Sequence, residues 1–286
     1  GFLSGISAGA GVIVARFFGA GDEKNLQRAV HTTVAFGLVA GVLMTGVGVA
    51  LSPQILRWMD TPESVMRESV TYLQIYFAGS LGFVMYNVLV GILQAVGDSR
   101  HPLYYLIVSS VINLVLDLLF ITGFHTGVGG AAVATVISQI VSALLCFWQL
   151  LRTKESYGLK IRKIRFDKGI LVQIIKIGLP SGVQNSIIAF ANVIVQSNIN
   201  AFGEMAMAGY GAYTKVEGFG FLPINSFTMA LTTFVGQNLG AKQEERTRKG
   251  ARFGILAAVI LAELIGVVVF LLAPQLIAAF DRSEEH

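Results

Sequence analysis

Long apolar runs divide the chain into segments that are joined, with one exception, by short polar links. The apolar residues do not alternate with polar ones over ten-residue stretches, as they would in a transmembrane β-barrel. A run of about 20 apolar residues can instead cross a bilayer as a helix. The pattern therefore predicts eight membrane-spanning helices, at residues 2–18, 31–52, 69–95, 103–122, 127–150, 172–202, 206–237 and 252–280.

The links differ strongly in basic residues from one side to the other. Links after the odd-numbered segments hold fifteen Lys and Arg residues, whereas the opposite links hold only Arg57, Arg67 and Arg282. The fifteen are Lys24, Arg28, Arg100, Arg152, Lys154, Lys160, Arg162, Lys163, Arg165, Lys168, Lys242, Arg246, Arg248, Lys249 and Arg252. Because cytoplasmic loops are enriched in Lys and Arg, this distribution predicts a multi-pass protein of the cell membrane. The links near 20–30, 97–102, 152–170 and 240–251 are expected in the cytoplasm.

Composition agrees with a protein whose main partner is the lipid bilayer. Hydrophobic residues make up 54% of the chain, charged residues 13%, and the mean hydropathy is +0.67. Cys146 is the only cysteine, so an intrachain disulfide is impossible. The basic stretch from Arg152 to Lys168 is too short for a folded nucleic-acid-binding domain, and no nucleic-acid partner is expected.

The chain resembles itself at an offset of 221 residues. Residues 19–63 align with residues 240–284 without a gap, and Gly19, Pro53 and Asp60 are among the 10 identities in 45 positions. Because six segments separate the copies, both cross the membrane in the same direction, which is typical of transporters built from parallel repeats. We expect an N-lobe at 1–152, a basic interlobe linker at 153–170 and a C-lobe at 171–286. The repeat also predicts a natural protein of twelve spans, of which this chain carries the second to the ninth.

Asp117 is the main candidate for function, because an acid in an apolar span is costly and by default a functional hypothesis. Asn113 and Ser110 are predicted to share its helix face. On the next segment, Thr135, Ser138, Gln139 and Ser142 form a second polar face. Such oxygen ligands suit a hard cation such as sodium, and the carboxylate could instead take a proton. Hydrogen bonding between helices is the plain alternative.

Uncharged amides mark other spans as candidate cavity walls. Asn87 lies in the third segment, Gln139 in the fifth, and Asn185, Asn192 and Gln196 in the sixth. Asn192 and Gln196 stand one helical turn apart, which suits a helix that faces water. Hydrogen bonds to neighbouring helices would explain the same pattern.

Glu217 lies among aromatic residues, including Tyr210 and Tyr213. A carboxylate beside aromatic faces could hold a lipophilic cation by charge attraction and cation–π contact. The alternative is a pair with Lys215 at the outer end of the helix. Glu263 has no obvious partner in the sequence.

Catalysis has little support. The four histidines lie in links or at segment ends, and no Ser-His-Asp or metal-ligand spacing occurs. Gly19-Ala20-Gly21 is not followed by the Gly-Lys-Ser/Thr of a phosphate loop. We therefore expect no enzyme activity and no cofactor, and energy from an ion gradient rather than ATP.

Several motifs together resemble the multidrug and toxic compound extrusion (MATE) family. They are Phe18-Gly19-Ala20-Gly21-Asp22, Gln94-Ala95-Val96-Gly97-Asp98-Ser99, Asn113 to Asp117, Gly127 to Gln139, Gly178-Leu179-Pro180-Ser181-Gly182 and Val235-Gly236-Gln237-Asn238-Leu239-Gly240-Ala241. The resemblance implies an all-α membrane fold of two six-helix lobes that rock between inward-open and outward-open states. It also implies export of cationic, lipophilic compounds in exchange for sodium ions or protons, and we expect a monomer.

Three residues match the spacings of the ion site that some family members carry in the N-lobe. Asn113 and Asp117 match an Asn and an Asp four apart, and Thr135 matches a Thr eighteen positions beyond that Asp. The resemblance therefore implies an ion-coupling set of these three, which would ligate the metal ion if that ion is sodium.

The chain departs from the family pattern at two places. The acid of the family's first helix would lie before Gly1. The Glu that some members place after the Pro of the seventh helix is replaced by Ser186-Ile187-Ile188. The first departure is expected to leave the ion site of this chain incomplete, and the second shifts the expected coupling role onto Asp117.

Three other classes remain as alternatives. A flippase for lipid-linked glycans would need several basic residues in its spans to hold a diphosphate, and this chain has almost none. A membrane-embedded enzyme would need clustered His, Cys or acidic residues. A scaffold without transport would not need Asp117.

Overall fold

The computed structural model describes residues 2–59, 61, 63–124, 127–200 and 202–281, and these are helical apart from short links and one longer link at 153–167. The helices are α1 (Phe2–Gly19), α2 (Glu23–Trp58), α3 (Glu63–Ala78), α4 (Ser80–Ala95), α5 (Arg100–Leu118), α6 (Gly127–Arg152), α7 (Lys168–Asn200), α8 (Glu204–Gly240) and α9 (Glu244–Asp281). By length and composition, six described helices could cross a membrane, or seven if α3 and α4 form one bent span, and α1 is a shorter apolar helix. The predicted all-α membrane fold is confirmed.

The segment predicted as one helix at 69–95 is two helices. α3 and α4 meet at an angle of 40° around Gly79. A Cβ atom at Gly79 would collide with the side chain of Val136 on α6, so the glycine lets α6 approach the break closely. By length and composition the two helices could still form the one predicted span, but that span is bent rather than a continuous helix.

Two links are shorter than predicted, because charged residues continue the helices beyond the apolar runs. α2 begins at Glu23 rather than near residue 31, and α9 begins at Glu244 rather than near 252. The Asp22 side chain accepts a hydrogen bond from the Asn25 N–H at 3.1 Å and so caps α2. Hydrogen bonds from the backbone and the side chain of Asn25 lower the pKa of Asp22. Since α2 begins at Glu23, Lys24 and Arg28 lie on its first turns.

The predicted repeat is visible in the positions of the helix ends. α1 ends at Gly19 and α8 at Gly240, and the next helices begin at Glu23 and Glu244, so both boundaries differ by 221 residues. The two turns have matching hydrogen bonds, for example from the Ala20 N–H to Arg16 O at 3.0 Å and from the Ala241 N–H to Gln237 O at 2.9 Å. The backbone turns left-handed at Gly21 (φ 64°) in the first copy and at Lys242 (φ 57°) in the second.

Lys242 should therefore be strained where Gly21 is not. A residue other than glycine costs about 1–2 kcal/mol in the left-handed region. Glycine avoids this cost but loses more conformational entropy on folding, which offsets part of the gain. We expect Lys242→Gly to raise the free energy of unfolding by up to about 1 kcal/mol and Gly21→Ala to lower it by about as much. The thermal unfolding midpoint of the purified protein measures both. A lower midpoint for Lys242→Gly would contradict the shared turn.

Helix α1 is central, since it packs against α2, α4, α7 and α8. Its contact with α7 is made by two pairs of glycines, because a Cβ atom at Gly5 would meet the backbone of Gly182 and one at Gly9 would lie 2.5 Å from Gly178 N. Both helices thus carry a Gly-x-x-x-Gly pattern, which permits close backbone approach. The apolar core, with Val14, Leu89 and Leu150 fully buried, lies among α1, α2, α4 and α6.

The long link at 153–167 is folded onto the start of α2. The Gln27 side chain donates a hydrogen bond to Gly158 O at 3.0 Å, and the Lys160 N–H donates one to His31 Nε2 at 3.0 Å. The Asp167 N–H donates to Thr32 Oγ1 at 3.1 Å, and Leu159 is buried. We call the end of the bundle formed by the links 20–22, 96–99, 153–167 and 241–243 the basic end.

Candidate functional site

Helices α5 and α6 run antiparallel, and two side chains fix their register. Tyr105 donates a hydrogen bond to Gln149 Oε1 at 3.3 Å, and Ser109 donates one to Ser138 O at 2.9 Å. Ser109 is buried against α6, whereas Ser110 is exposed. Ser110 still lies two turns before Asp117 on α5, as predicted, but Ser109 is the serine that contacts α6.

Asn113 and Asp117 follow Ser109 at successive turns of α5. Both residues are half-buried, and the atoms Asn113 Nδ2 and Asp117 Oδ1 are fully buried. Neither atom has a hydrogen-bond partner within the described ranges. A buried polar atom without a partner costs about 1–3 kcal/mol, and more when it is charged. Two such atoms one turn apart are therefore a local cost that a bound proton or cation at the carboxylate could offset.

Thr135 lies on α6 near the depth of Asn113, by the register that Ser109 and Ser138 set. Its hydroxyl donates to Ala131 O at 3.0 Å, and Ser142 likewise donates to Ser138 O at 3.0 Å. The serine and threonine hydroxyls of this polar face thus bond within their own helix. Gln139 is half-buried on the same helix.

A cavity of about 370 Å³ lies between α1, α4 and α8. Its walls are mostly small and apolar, and none of the described residues that line it is charged. Its polar lining residues are Ser4, Ser7, Asn87, Gln94, Thr228, Thr232 and Thr233. Asn87, predicted as a cavity residue, is exposed there, and its amide donates to Phe83 O at 2.8 Å.

The cavity ends where α8 meets α1 and α4 at the basic end. The Gln237 side chain donates a hydrogen bond to Ala95 O at 2.8 Å. A Cβ atom at Gly19 would collide with the main-chain carbonyl of Gln237, and one at Gly240 with that of Arg16. Positions 16 and 237, like 19 and 240, are related by the repeat, so the two halves contribute equivalent residues. We call this contact the glycine clamp.

The three amide side chains of α7 lie in different environments. Asn185 is half-buried and donates to Ser4 Oγ at 3.5 Å, which places it beside the cavity. Asn192 is exposed, and Gln196 is half-buried further along the helix. The bond from Asn185 to Ser4 joins α7 to a residue that lines the cavity.

Glu217 accepts a hydrogen bond from the Tyr213 hydroxyl at 2.9 Å, one turn away on α8. The Tyr210 and Tyr213 rings lie beside each other with centroids 5.8 Å apart. Glu217 is half-buried and Tyr213 is exposed, and neither lines the cavity. Glu263 is exposed on α9.

Sequence reasoning missed most of the cavity wall. Ser4, Ser7 and Gly11 follow helical spacing on α1, and Thr228 and Thr232 follow it on α8. That spacing was the available signal. Among the residues that the structure describes, no group of three or more His, Cys, Asp or Glu side chains could hold a metal ion.

Comparison with known proteins assigns the family. The MatE family model matches residues 1–119 and 180–286, well over half of the chain. The chain belongs to the MatE family. Among curated relatives it is 30% identical over 291 residues to the probable multidrug resistance protein YoeA of Bacillus subtilis strain 168 and 27% identical over 293 residues to the probable multidrug resistance protein NorM of Thermotoga maritima.

Solved structures of the family share the fold. A crystal structure of MATE in the bent conformation superimposes with a TM-score of 0.88 at 26% identity, and covers 96% of this chain. The outward-facing conformation of a multidrug resistance MATE family transporter gives the same TM-score, identity and coverage.

The chain spans less than two thirds of the length of these MatE proteins. It covers 63% of the Bacillus protein, 62% of the Thermotoga protein and 61–62% of the two solved chains.

Proposed function

We propose that the full-length protein is a secondary antiporter that exports cationic, lipophilic compounds in exchange for sodium ions or protons. The observation that carries this proposal is the pair of buried, unpartnered atoms Asn113 Nδ2 and Asp117 Oδ1 in a membrane-length helix. Family membership supports efflux as the general activity, since relatives of this chain are named as multidrug resistance and export proteins.

Asp117 is the coupling acid in this proposal. A proton or a sodium ion at its carboxylate removes the cost of the unpaired charge, and Asn113 and Thr135 supply further polar groups nearby. The amide of Asn113 can turn its oxygen toward a cation by rotation about its side chain. Drug export then requires that ion and drug differ in affinity for the two states of the transporter.

The cavity between α1, α4 and α8 is the proposed start of the substrate path. Its apolar walls suit a lipophilic molecule, and Asn87, Gln94 and the threonines offer oxygen atoms to a cation. Glu217, Tyr213, Asn185, Asn192 and Gln196 are proposed to line the path further out. The described part of the cavity wall contains neither Lys nor Arg, which argues against a diphosphate substrate and hence against the flippase.

The glycine clamp supports an outward-open state for this arrangement. The lobes meet at the basic end, which the positive-inside rule assigns to the cytoplasm. An outward-facing family member superimposes with a TM-score of 0.88.

Reconstitution in liposomes tests the function directly. Full-length protein should move a fluorescent cationic dye against its gradient when a sodium or a proton gradient is imposed, and an anionic dye of similar size should stay behind. Each gradient is imposed alone, so the one that drives transport identifies the ion. Dye movement that needs neither gradient, or equal movement of both dyes, would overturn the antiporter proposal.

A further inference from the structure

A cavity at the basic end has no part in the proposed transport path. It measures about 710 Å³ and lies between the first turns of α2 and the link at 153–167. Five cationic side chains line it, Lys24, Arg28, Arg162, Lys163 and Arg165, together with two acidic ones, Glu23 and Asp167. The wall therefore carries an excess of three positive charges.

Most of this positive charge is available to a ligand. Arg28 pairs with Asp167 at 3.7 Å. Lys24, Arg162, Lys163 and Arg165 form no ion pair within 4 Å in the described part of the chain. Four like charges around one cavity repel one another, and a bound anion would remove that repulsion.

Hydrogen bonds between the link and α2 fix both walls of the cavity. The Gln27 side chain donates a hydrogen bond to Gly158 O. The Lys160 N–H donates to His31 Nε2 and the Asp167 N–H to Thr32 Oγ1, and all three distances are 3.0–3.1 Å. The link therefore presents Arg162 to Arg165 on a backbone anchored to α2 at both sides. Because the link is already ordered, ligand binding does not carry the entropy cost of ordering it.

Two exposed apolar side chains flank the basic residues of the link. Ile161 is 61% exposed and Phe166 is 44% exposed, directly before and after the stretch Arg162–Arg165. At the same end of the bundle, the Arg152 guanidinium lies 4.5 Å from the centre of the Trp148 ring, and aromatic and basic residues of this kind are enriched at the membrane interface. Basic pockets at this level bind the head groups of anionic lipids.

We propose that this cavity binds the phosphate group of an anionic phospholipid, whose acyl chains lie against Ile161 and Phe166. The lipid fastens the link to the start of α2. A free phosphate ester shares the head-group chemistry but lacks the acyl chains, so it binds more weakly.

Native mass spectrometry of the purified full-length protein in a neutral detergent tests the site. Phosphatidylglycerol is titrated against phosphatidylcholine, with glycerol 1-phosphate and inorganic phosphate as separate arms. The double variant Arg162→Gln/Lys163→Gln should lose phosphatidylglycerol affinity by about tenfold or more, since each basic residue near an anionic surface contributes substantially. The matched control Lys154→Gln/Lys168→Gln removes two charges from the same segment outside the cavity and should change the affinity by less than about threefold.

The lipid assignment has its own variant. Ile161→Ser/Phe166→Ser should weaken phosphatidylglycerol binding and leave the binding of glycerol 1-phosphate unchanged.

If Arg162→Gln/Lys163→Gln loses helix content by circular dichroism, Lys24→Gln/Arg165→Gln replaces it, because it removes one positive charge from each wall of the cavity. Equal losses in test and control variants would show a diffuse surface effect and overturn the site. Equal affinity for inorganic phosphate and phosphatidylglycerol would overturn the lipid.

Discussion

Asp117→Asn is expected to abolish gradient-driven efflux in the full-length protein while the protein still folds and reaches the membrane. Asparagine has nearly the volume of aspartate, so the packing of α5 against α6 should persist. It cannot take up a proton or carry a charge, so the site loses its differential affinity for the coupling ion. Coupling free energies of about 1–3 kcal/mol correspond to about 5–150-fold, and we expect the efflux rate of a cationic dye to fall at least tenfold.

The control for this prediction is Glu263→Gln, which removes an acid from the exposed surface of another membrane-length helix. It should leave efflux near the wild-type rate at equal expression. Ion-dependent thermal stabilisation adds an independent measurement, because a ligand that binds only the folded state raises the unfolding midpoint. If sodium is the coupling ion, it should stabilise wild-type protein and leave Asp117→Asn unchanged. Normal efflux in Asp117→Asn would exclude the coupling role.

Hydropathy predicted where the helices lie but not where they end. The apolar runs contain only the part of a helix that suits lipid, whereas α2 continues through charged residues to its cap at Asp22. At 36 residues α2 is about 54 Å long, well beyond the apolar core of a bilayer. The extra turns are stabilised by the cap and by the link packed on them, and neither has a hydropathy signal.

The repeat was predictable because backbone turns depend on local residues. The shared Gly19 and Gly240 end their helices at the same relative position, and the two turns share most of their backbone hydrogen bonds. The close approach at Gly79 was not predictable, since it involves Val136, more than fifty positions away. A glycine alone in a helical pattern does not tell whether a neighbour approaches it.

The candidate site was predictable in part for a similar reason. Asn113 and Asp117 lie four positions apart on one helix, so a shared face follows from periodicity, and the structure finds both with buried, unpartnered atoms. Their role in coupling stays a prediction. The cavity wall required tertiary structure, because Thr228 on α8 and Ser7 on α1 become neighbours only when the halves meet.

The glycine clamp leads to the second prediction, which concerns stability and conformation together. Gly19→Ala should lower the free energy of unfolding by about 1–3 kcal/mol, the usual cost of overpacking. Alanine normally stabilises a helix by about 1 kcal/mol relative to glycine, so the sign of the effect is opposite to that expected from propensity. The reason is that the new methyl group meets the main-chain carbonyl of Gln237, which cannot rotate away as a side chain would.

The repeat offers an internal check on the same clamp. Gly240→Ala places a methyl group against the carbonyl of Arg16, the equivalent contact, and should cost a similar amount. Gly46→Ala is the matched control, because it adds the same methyl group to helix α2 with nothing within 4 Å, and it should be neutral or stabilising. Thermal unfolding of the full-length protein in detergent measures all three.

The double variant decides whether the two glycines act on one contact. Once Gly19→Ala has moved the ends of α1 and α8 apart, a second methyl group at Gly240 has less to collide with. The double variant should therefore cost clearly less than the sum of the single variants, since residues that share a contact are not additive. Full additivity, or a stabilising Gly19→Ala, would mean that the helix ends do not meet there. Separated helix ends also remove the hydrogen bond from Gln237 to Ala95 O that closes the cavity, so the same variants should slow dye efflux by weakening the state in which the basic end is shut.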